Sequence, residues 1–342
     1  MRVAPHSPNA IRTGPYLAVV AHTRLYRNGK LELEDFPVAD VSVHVADPGA
    51  TVWLDYCEPT ERDLATIARE LGLHPLAVED AVNEHQRPKL DRYETHLFIN
   101  GYVVHLDTES GELRTSEISM FVTRHALVTV RKDEGVDIAP ILRRWDESSD
   151  LAGNGVSFLL WGVLDEIVDG HFEAVQSLDS EIEELQEALF DTAGREAEVQ
   201  RRSFELRKSL VLLRRVVLPM REVINAVMRR DLHVIDGTMA PYFQDVYDHV
   251  LRATDWTESL RDLVTTILET NLALQGNRMN LVMKKVTSWA AIIAVPTAIT
   301  GFYGQNVPYP GYGAHWGFWV SSGVIVLVSV GLYFAFRRQD WL

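Results

Sequence analysis

Hydrophobic and polar positions alternate over the first 150 residues and then recur at three- and four-residue steps along most of the remaining chain. The strings YLAVVAHTRLY, DVSVHVA, ATVWLDY, HLFINGYVVHL, ISMFVT and ALVTVR alternate or are rich in β-branched residues, and each reads as a strand. Asn28-Gly29 sits between two such runs and supplies the positive φ angles a tight hairpin needs. Glu61 to Leu71 and Pro75 to Val82 read as short helices, so an α/β or α+β domain is expected over residues 1–150.

Beyond it the period becomes helical. Ser157 to Phe190 and Glu196 to Met228 form two tracts, with Gly194 as the turn between antiparallel partners and Pro219 expected to kink or split the second. The acids Asp179, Glu181, Glu183, Glu184 and Glu187 read as a solvated helical face or a cation-attracting surface. From Pro241 to Pro296 only Gly276 interrupts good helix formers, and Val246, Val250, Ala253, Trp256, Leu260, Leu263, Ile267, Asn271 and Leu274 make one mostly apolar stripe. A helix of more than fifty residues spans roughly 80 Å and forms a mechanical link between parts of the molecule, unless it breaks at Gly276.

The same helix runs into apolar sequence. Between Lys285 and Arg337 there are 51 consecutive residues without Asp, Glu, Lys or Arg. Val286 to Tyr303 (18 residues) and Trp316 to Phe336 (21 residues) each approach the length that crosses a bilayer, and GQNVPYPGYGAH between them is punctuated by Gly, Pro and Asn. Lys284 and Lys285 precede the first span and Arg337 and Arg338 follow the second, which places both termini in the cytoplasm. The opening MRVAPHSPNAIRTG lacks the apolar core of a signal peptide, so the first part is expected to stay on the side of synthesis.

Charge narrows the chemistry. Thirty-three basic against 48 acidic residues give a net charge of −15, which disfavours nucleic acid and favours cations as partners. The single cysteine, Cys57, makes no intramolecular disulfide or thiolate cluster. No phosphate-binding glycine loop, GxSxG, HExxH or CxxC pair is present, and the 12 histidines show no ligand spacing, so neither an enzyme nor an organic cofactor is expected.

The run PTAITGFYGQN ends the first span with Tyr303, Gly304, Gln305 and Asn306, and the chain closes on RRQDWL. On the residues alone Asn306 is as well explained by a turn beside Gly304. Its position at the end of the first of two C-terminal spans, however, resembles the Tyr-Gly-Met-Asn signature of the CorA family of divalent-cation channels, here as a Gly-Gln-Asn variant. The resemblance continues through GLHPLAVEDAVNEHQRPKLDRYETHLFI, LLWGVLDEIVDGHFEAVQSLDSEIEELQ, LPMREV, PYFQDVYDHV and GNRMNLVMKKV, from about Trp53 to Leu342.

The fold this resemblance implies is an α+β cytoplasmic domain, a mixed sheet with flanking helices, joined by a long stalk helix to a two-helix transmembrane region in a pentameric funnel. Its parts are the N-terminal domain at 1–150, a helical pair at 151–235, the stalk at 236–285, a pore-lining helix at 286–303, an outer loop at 304–315, a second transmembrane helix at 316–336 and a basic tail at 337–342. The implied function is uptake of Mg²⁺, with Co²⁺ or Ni²⁺ secondary, through a homopentamer in the plasma membrane gated by intracellular Mg²⁺. A transporter of Zn²⁺ or another transition metal, possibly proton coupled, and a non-conducting metal sensor are the alternatives.

Family pore positions fall on Asn280, Met283, Val286, Ala294, Thr297 and Gly301, although Met283 and Val286 also suit ordinary helix packing. Asp80 and Asp245 correspond to regulatory carboxylates that share Mg²⁺ across neighbouring subunits, with Glu79, Asp169, Asp248 and Glu269 as weaker candidates; each acid alone reads as a surface charge. Two departures bear on ion choice. Gln305 replaces methionine, and the loop reads VPYPGYG where many relatives carry acids, so weaker recruitment of Mg²⁺, or a selectivity moved toward Zn²⁺, Co²⁺ or Ni²⁺, is expected, and selection must rest on neutral oxygens.

Overall fold

The structure, a computed structural model, describes residues 20–83, 86–107, 112–191, 196–229, 235, 237–305, 308 and 310–342. The N-terminal run through residue 19, Gly194, Asn306, Val307 and Tyr309 fall outside the described residues. The chain divides into two units, one made of residues up to Asp191 with Arg201–Thr265, the other of Thr192–Gln200 with Thr266–Leu342.

The first unit is built on a seven-stranded sheet. Its strands are β1 (Val20–Arg27), β2 (Lys30–Glu34), β3 (Ala50–Cys57), β4 (Lys89–Arg92), β5 (Leu97–Asp107), β6 (Glu112–Val122) and β7 (Ala126–Arg131), in the order β2-β1-β3-β7-β6-β5-β4. Among the described residues only β3 and β7 pair in parallel, with Val52 opposite Ala126 and Cys57 opposite Arg131; the other pairs are antiparallel. Asn28 and Gly29 take φ of 51° and 76°, the left-handed conformation that lets β1 turn tightly into β2.

Period-two alternation sends side chains to two faces. Val52, Leu54 and Tyr56 of β3 join Phe98, Phe121, Val128 and Val130 under α1 (Val41–Val45), α2 (Glu61–Leu71) and α3 (Pro75–Val82). Trp53 points the other way, edge-on to Trp145 of α4 (Ala139–Glu147) with ring centroids 4.9 Å apart. On that face lies α5 (Val156–Asp191); Gly101 of β5 has no side chain, and a Cβ there would meet Ile167 of α5 at 3.6 Å. Beneath these layers Asp55 is fully buried and accepts from Arg131 Nε at 2.9 Å, Arg131 Nη2 at 2.7 Å and Thr129 Oγ1 at 2.7 Å.

The string DVSVHVA is not a strand. Val38–Asp40 is a 3₁₀ turn and Val41–Val45 is helical, because Val41 and Val45, four residues apart, face the core while Val43 is 71% exposed. A five-residue alternation also fits one helical turn, and Pro37 before it with Asp47-Pro48-Gly49 after it leave no room for a strand. Pro219 does not split its tract either: α6 (Glu196–Val227) is continuous across it. Val216, Val217, Met220, Val223 and Ile224 are all buried around that proline, and their packing outweighs one missing hydrogen bond.

Helix α7 (Ala240–Tyr303) runs 64 residues without a break at Gly276. In the first unit it buries Phe243, Val246, Val250, Ala253, Leu260 and Val264, and its Tyr242 meets Trp161 of α5 at 5.5 Å between centroids. Val264 rather than Leu263 continues the buried stripe. In the second unit α7 proceeds through Pro296, and α8 (His315–Arg338) follows. The chain then reverses: Asp340 takes φ of 55°, the Trp341 N–H donates to the Phe336 carbonyl at 3.0 Å, and the Trp341 ring stacks on Phe336 beneath Lys284 Nζ, 5.9 Å from its centroid.

Candidate ion pathway and regulatory carboxylates

Both apolar spans are helical, each long and apolar enough to cross a bilayer, within α7 and α8. The six expected pore positions, Asn280, Met283, Val286, Ala294, Thr297 and Gly301, lie on the second-unit part of α7, and all are exposed in the single chain. Their steps of three, four and eight residues keep them near one side of the helix. The Thr297 hydroxyl donates to the Ile293 carbonyl at 2.9 Å, which leaves its oxygen lone pairs to face outward. Pro296 lacks an N–H, yet Thr300 Oγ1 donates to its carbonyl at 2.9 Å and the helix persists.

Tyr303 is the last residue of α7, edge-on to Phe302 at 5.7 Å. The Gly304 N–H donates to the Thr300 carbonyl at 2.9 Å and the Gln305 N–H to the Phe302 carbonyl at 3.3 Å, closing the helix. A Cβ on Gly304 would lie 3.1 Å from the Thr300 oxygen, so glycine suits this close turn. The signature therefore begins where the helix ends, and the negative pole of the helix dipole, with its last carbonyls, lies at that end. That pole offers a cation partial charge without any acidic side chain. Asn306 itself lies outside the described residues.

The proposed regulatory acids are spread over the first unit, apart from Glu269 in the second, and fall into separate polar groups. Asp80, on α3, accepts from Lys89 Nζ at 2.6 Å, and Glu79 beside it is exposed. Asp245, on α7, is 66% exposed, with His249 Nε2 at 4.0 Å. The opposite ring nitrogen of His249 is 3.5 Å from Asp169, which also accepts from Arg144 at 2.9 Å. Arg144 gathers Asp165, Glu166 and Asp169 from one face of α5. Asp248 accepts from Gln244, and Glu269 is exposed on α7. Among the described residues no group of three or more His, Cys, Asp and Glu side chains could hold a metal within one chain. Lys132 and Arg144 carry no spacing that marks them in the sequence, whereas Lys89 stands in the HQRPK run and His249 in the PYFQDVYDHV run, four residues from Asp245.

The chain thus combines a mixed α+β unit, a continuous long helix and two apolar spans, the first ending at Tyr303, an architecture suited to a membrane protein. The family profile described as CorA-like Mg²⁺ transporter protein matches residues 48–338. The cobalt/magnesium transport protein CorA of Thermotoga maritima is 30% identical over 316 residues, covering 91% of this chain and 90% of that protein. The zinc transport protein ZntB of Klebsiella pneumoniae is 24% identical over 90% of this chain and 92% of its own. Among solved structures, the complete CorA magnesium transporter of Methanocaldococcus jannaschii superposes with a TM-score of 0.77 at 23% identity, over 95% of this chain and all of that one. The chain belongs to the CorA family, a family of transporters and not of enzymes.

Proposed function

We propose that the chain forms a homopentamer in the cytoplasmic membrane, with both termini inside, and conducts Mg²⁺ passively down its electrochemical gradient, Co²⁺ and Ni²⁺ being secondary ions. One observation carries the reading: the family match runs through both spans, and the Tyr-Gly-Gln-Asn run begins at the C-terminal end of the first. Mg²⁺ gives up its water reluctantly, so a mouth selects it best by contacting the hydrated ion. Five Asn306 carboxamides, with Gln305 and the helix-end carbonyls, supply neutral oxygens that hold such an ion loosely enough to release it. Below them Thr297 and Asn280 form polar rings, and Met283 and Val286 form an apolar constriction that gates by dewetting.

Asp80 and Asp245 of neighbouring subunits share Mg²⁺ in this reading, with Glu79, Asp169, Asp248 and Glu269 as weaker candidates for ligands. Bound Mg²⁺ removes the repulsion between carboxylates and holds the interfaces closed; when cytosolic Mg²⁺ falls, the sites empty and the stalk helices tilt open.

The test is ion flux into vesicles containing the purified protein. Mg²⁺ uptake is expected in the parent and its loss in Asn306→Ala; no flux under any divalent gradient sinks the channel and leaves a sensor. A second reading, Zn²⁺ transport, is favoured by the likeness to a zinc transport protein and by Gln305 beside an acid-free loop. Zn²⁺ flux exceeding Mg²⁺ flux would select it, and faster Mg²⁺ uptake in Gln305→Met would trace the difference to that residue.

A further inference from the structure

The carboxylate of Asp80 already holds a cation supplied by its own chain. Lys89, the first residue of β4, donates to Asp80 Oδ2 at 2.6 Å, and the two side chains are only 22% and 27% exposed. The same ammonium reaches Asp91 Oδ2 at 2.7 Å and rests 5.5 Å from the centre of the Phe98 ring. A second lysine fixes the backbone beneath: Lys132 Nζ donates to the carbonyls of Asp80 at 3.3 Å, Asn83 at 2.6 Å and Ala81, capping the C-terminal end of α3. One lysine thus positions the helix that carries Asp80, and the other neutralises its side chain.

We infer that Lys89 is a tethered counter-cation that competes with Mg²⁺ for Asp80 and so sets the Mg²⁺ concentration at which the subunit interface closes. The inference rests on the regulatory role given to Asp80 in the proposed function. An ammonium held at Oδ2 and a divalent ion draw on the single negative charge of the same carboxylate. Without Mg²⁺, Lys89 cancels the charge of Asp80 and limits its repulsion toward the acid of the next subunit. When Mg²⁺ arrives, Lys89 yields Asp80 and keeps Asp91, 2.7 Å away in the present arrangement, as its remaining partner. Mg²⁺ therefore binds against a fixed internal competitor, which raises the concentration needed to saturate the site.

Two substitutions on the same strand are expected to act in opposite directions. Lys89→Met keeps an unbranched stem against Phe98, removes the charge, and should lower the half-protective Mg²⁺ concentration about fivefold, the upper end for a partly exposed ion pair. Asp91→Asn removes the alternative partner, commits Lys89 to Asp80, and should raise that concentration about two- to threefold. Lys89→Arg, which preserves the charge, should stay within about twofold of the parent. The readout is Mg²⁺-dependent protection of the full-length protein in detergent from chymotrypsin. Weaker protection in Lys89→Met would mean that Lys89 orients Asp80 instead of competing for it, and would overturn the inference. Unchanged midpoints in both Lys89→Met and Asp91→Asn would overturn it while leaving regulation at Asp80 intact. Absence of Mg²⁺ protection in the parent would overturn the regulatory reading and this inference together.

Discussion

Asp55 and Arg131 meet in the sheet interior across 76 residues of sequence, and each owes its tolerance of burial to the other. Arg131 also donates to the Val136 carbonyl at 3.0 Å, so its removal strands a carboxylate and a main-chain oxygen. Arg131→Met should cost about 3–5 kcal/mol, read as a fall of roughly 10 °C in the melting temperature of the solubilised protein. His171 is a second buried polar group. It lies against the Tyr102 carbonyl at 2.7 Å, and burial pushes its pKa down to about 4. An unfolded histidine protonates near pH 6.5, so this contribution to stability is complete above that pH and is lost as pH falls from 6.5 toward 4. The loss should approach roughly 3 kcal/mol, with a flatter pH profile of melting temperature in His171→Asn as the check. At this scale the sequence is unevenly legible. Asp80, Asp169 and Asp245 can be singled out through their surrounding strings, but most of their pairings cannot: Lys89 reaches Asp80 from another element, Arg144 reaches Asp169 across 25 residues, and His249, four residues from Asp245, also meets Asp169 on another helix. Such pairs are decided by tertiary packing and leave no local spacing.

Elements with a chemical marker at their ends are the readable ones. Pro75 at the first position of α3, the Asn28-Gly29 turn and the uncharged spans each carry a constraint that no alternative packing removes. The pattern misleads where a short run or a single residue has to decide alone. Five residues of alternation around Val43 suit strand and helix equally, and burial of Val41 with Val45 chooses the helix. Pro219 removes one backbone donor from a 32-residue helix, a local cost that buried neighbours on both sides overcome. Pro219→Ala restores that donor to the Arg215 carbonyl and should raise stability by about 1–3 kcal/mol, measured by thermal unfolding. The end of the first span is legible as a motif, whereas the dipole pole there follows only from where α7 ends.

For the whole molecule, charge is the dominant long-range quantity. A pentamer would carry five times the −15 formal charge of one chain, concentrated outside the uncharged spans. On the proposed arrangement, chelation of divalent ions should loosen the pentamer and increase cleavage by chymotrypsin, and Asp245→Ala should lose Mg²⁺-dependent protection; equal protection in that variant would remove Asp245 from the proposed interface. The parallel pairing of β3 with β7 has another consequence, one of timing. The central strand must wait until residue 131 has been made, but the first apolar span begins only at Val286. During synthesis the sheet can thus close, around the Asp55–Arg131 pair, before either apolar span has been made. The two apolar spans are then the last long stretches of the chain to be made, when the sheet that precedes them can already have formed.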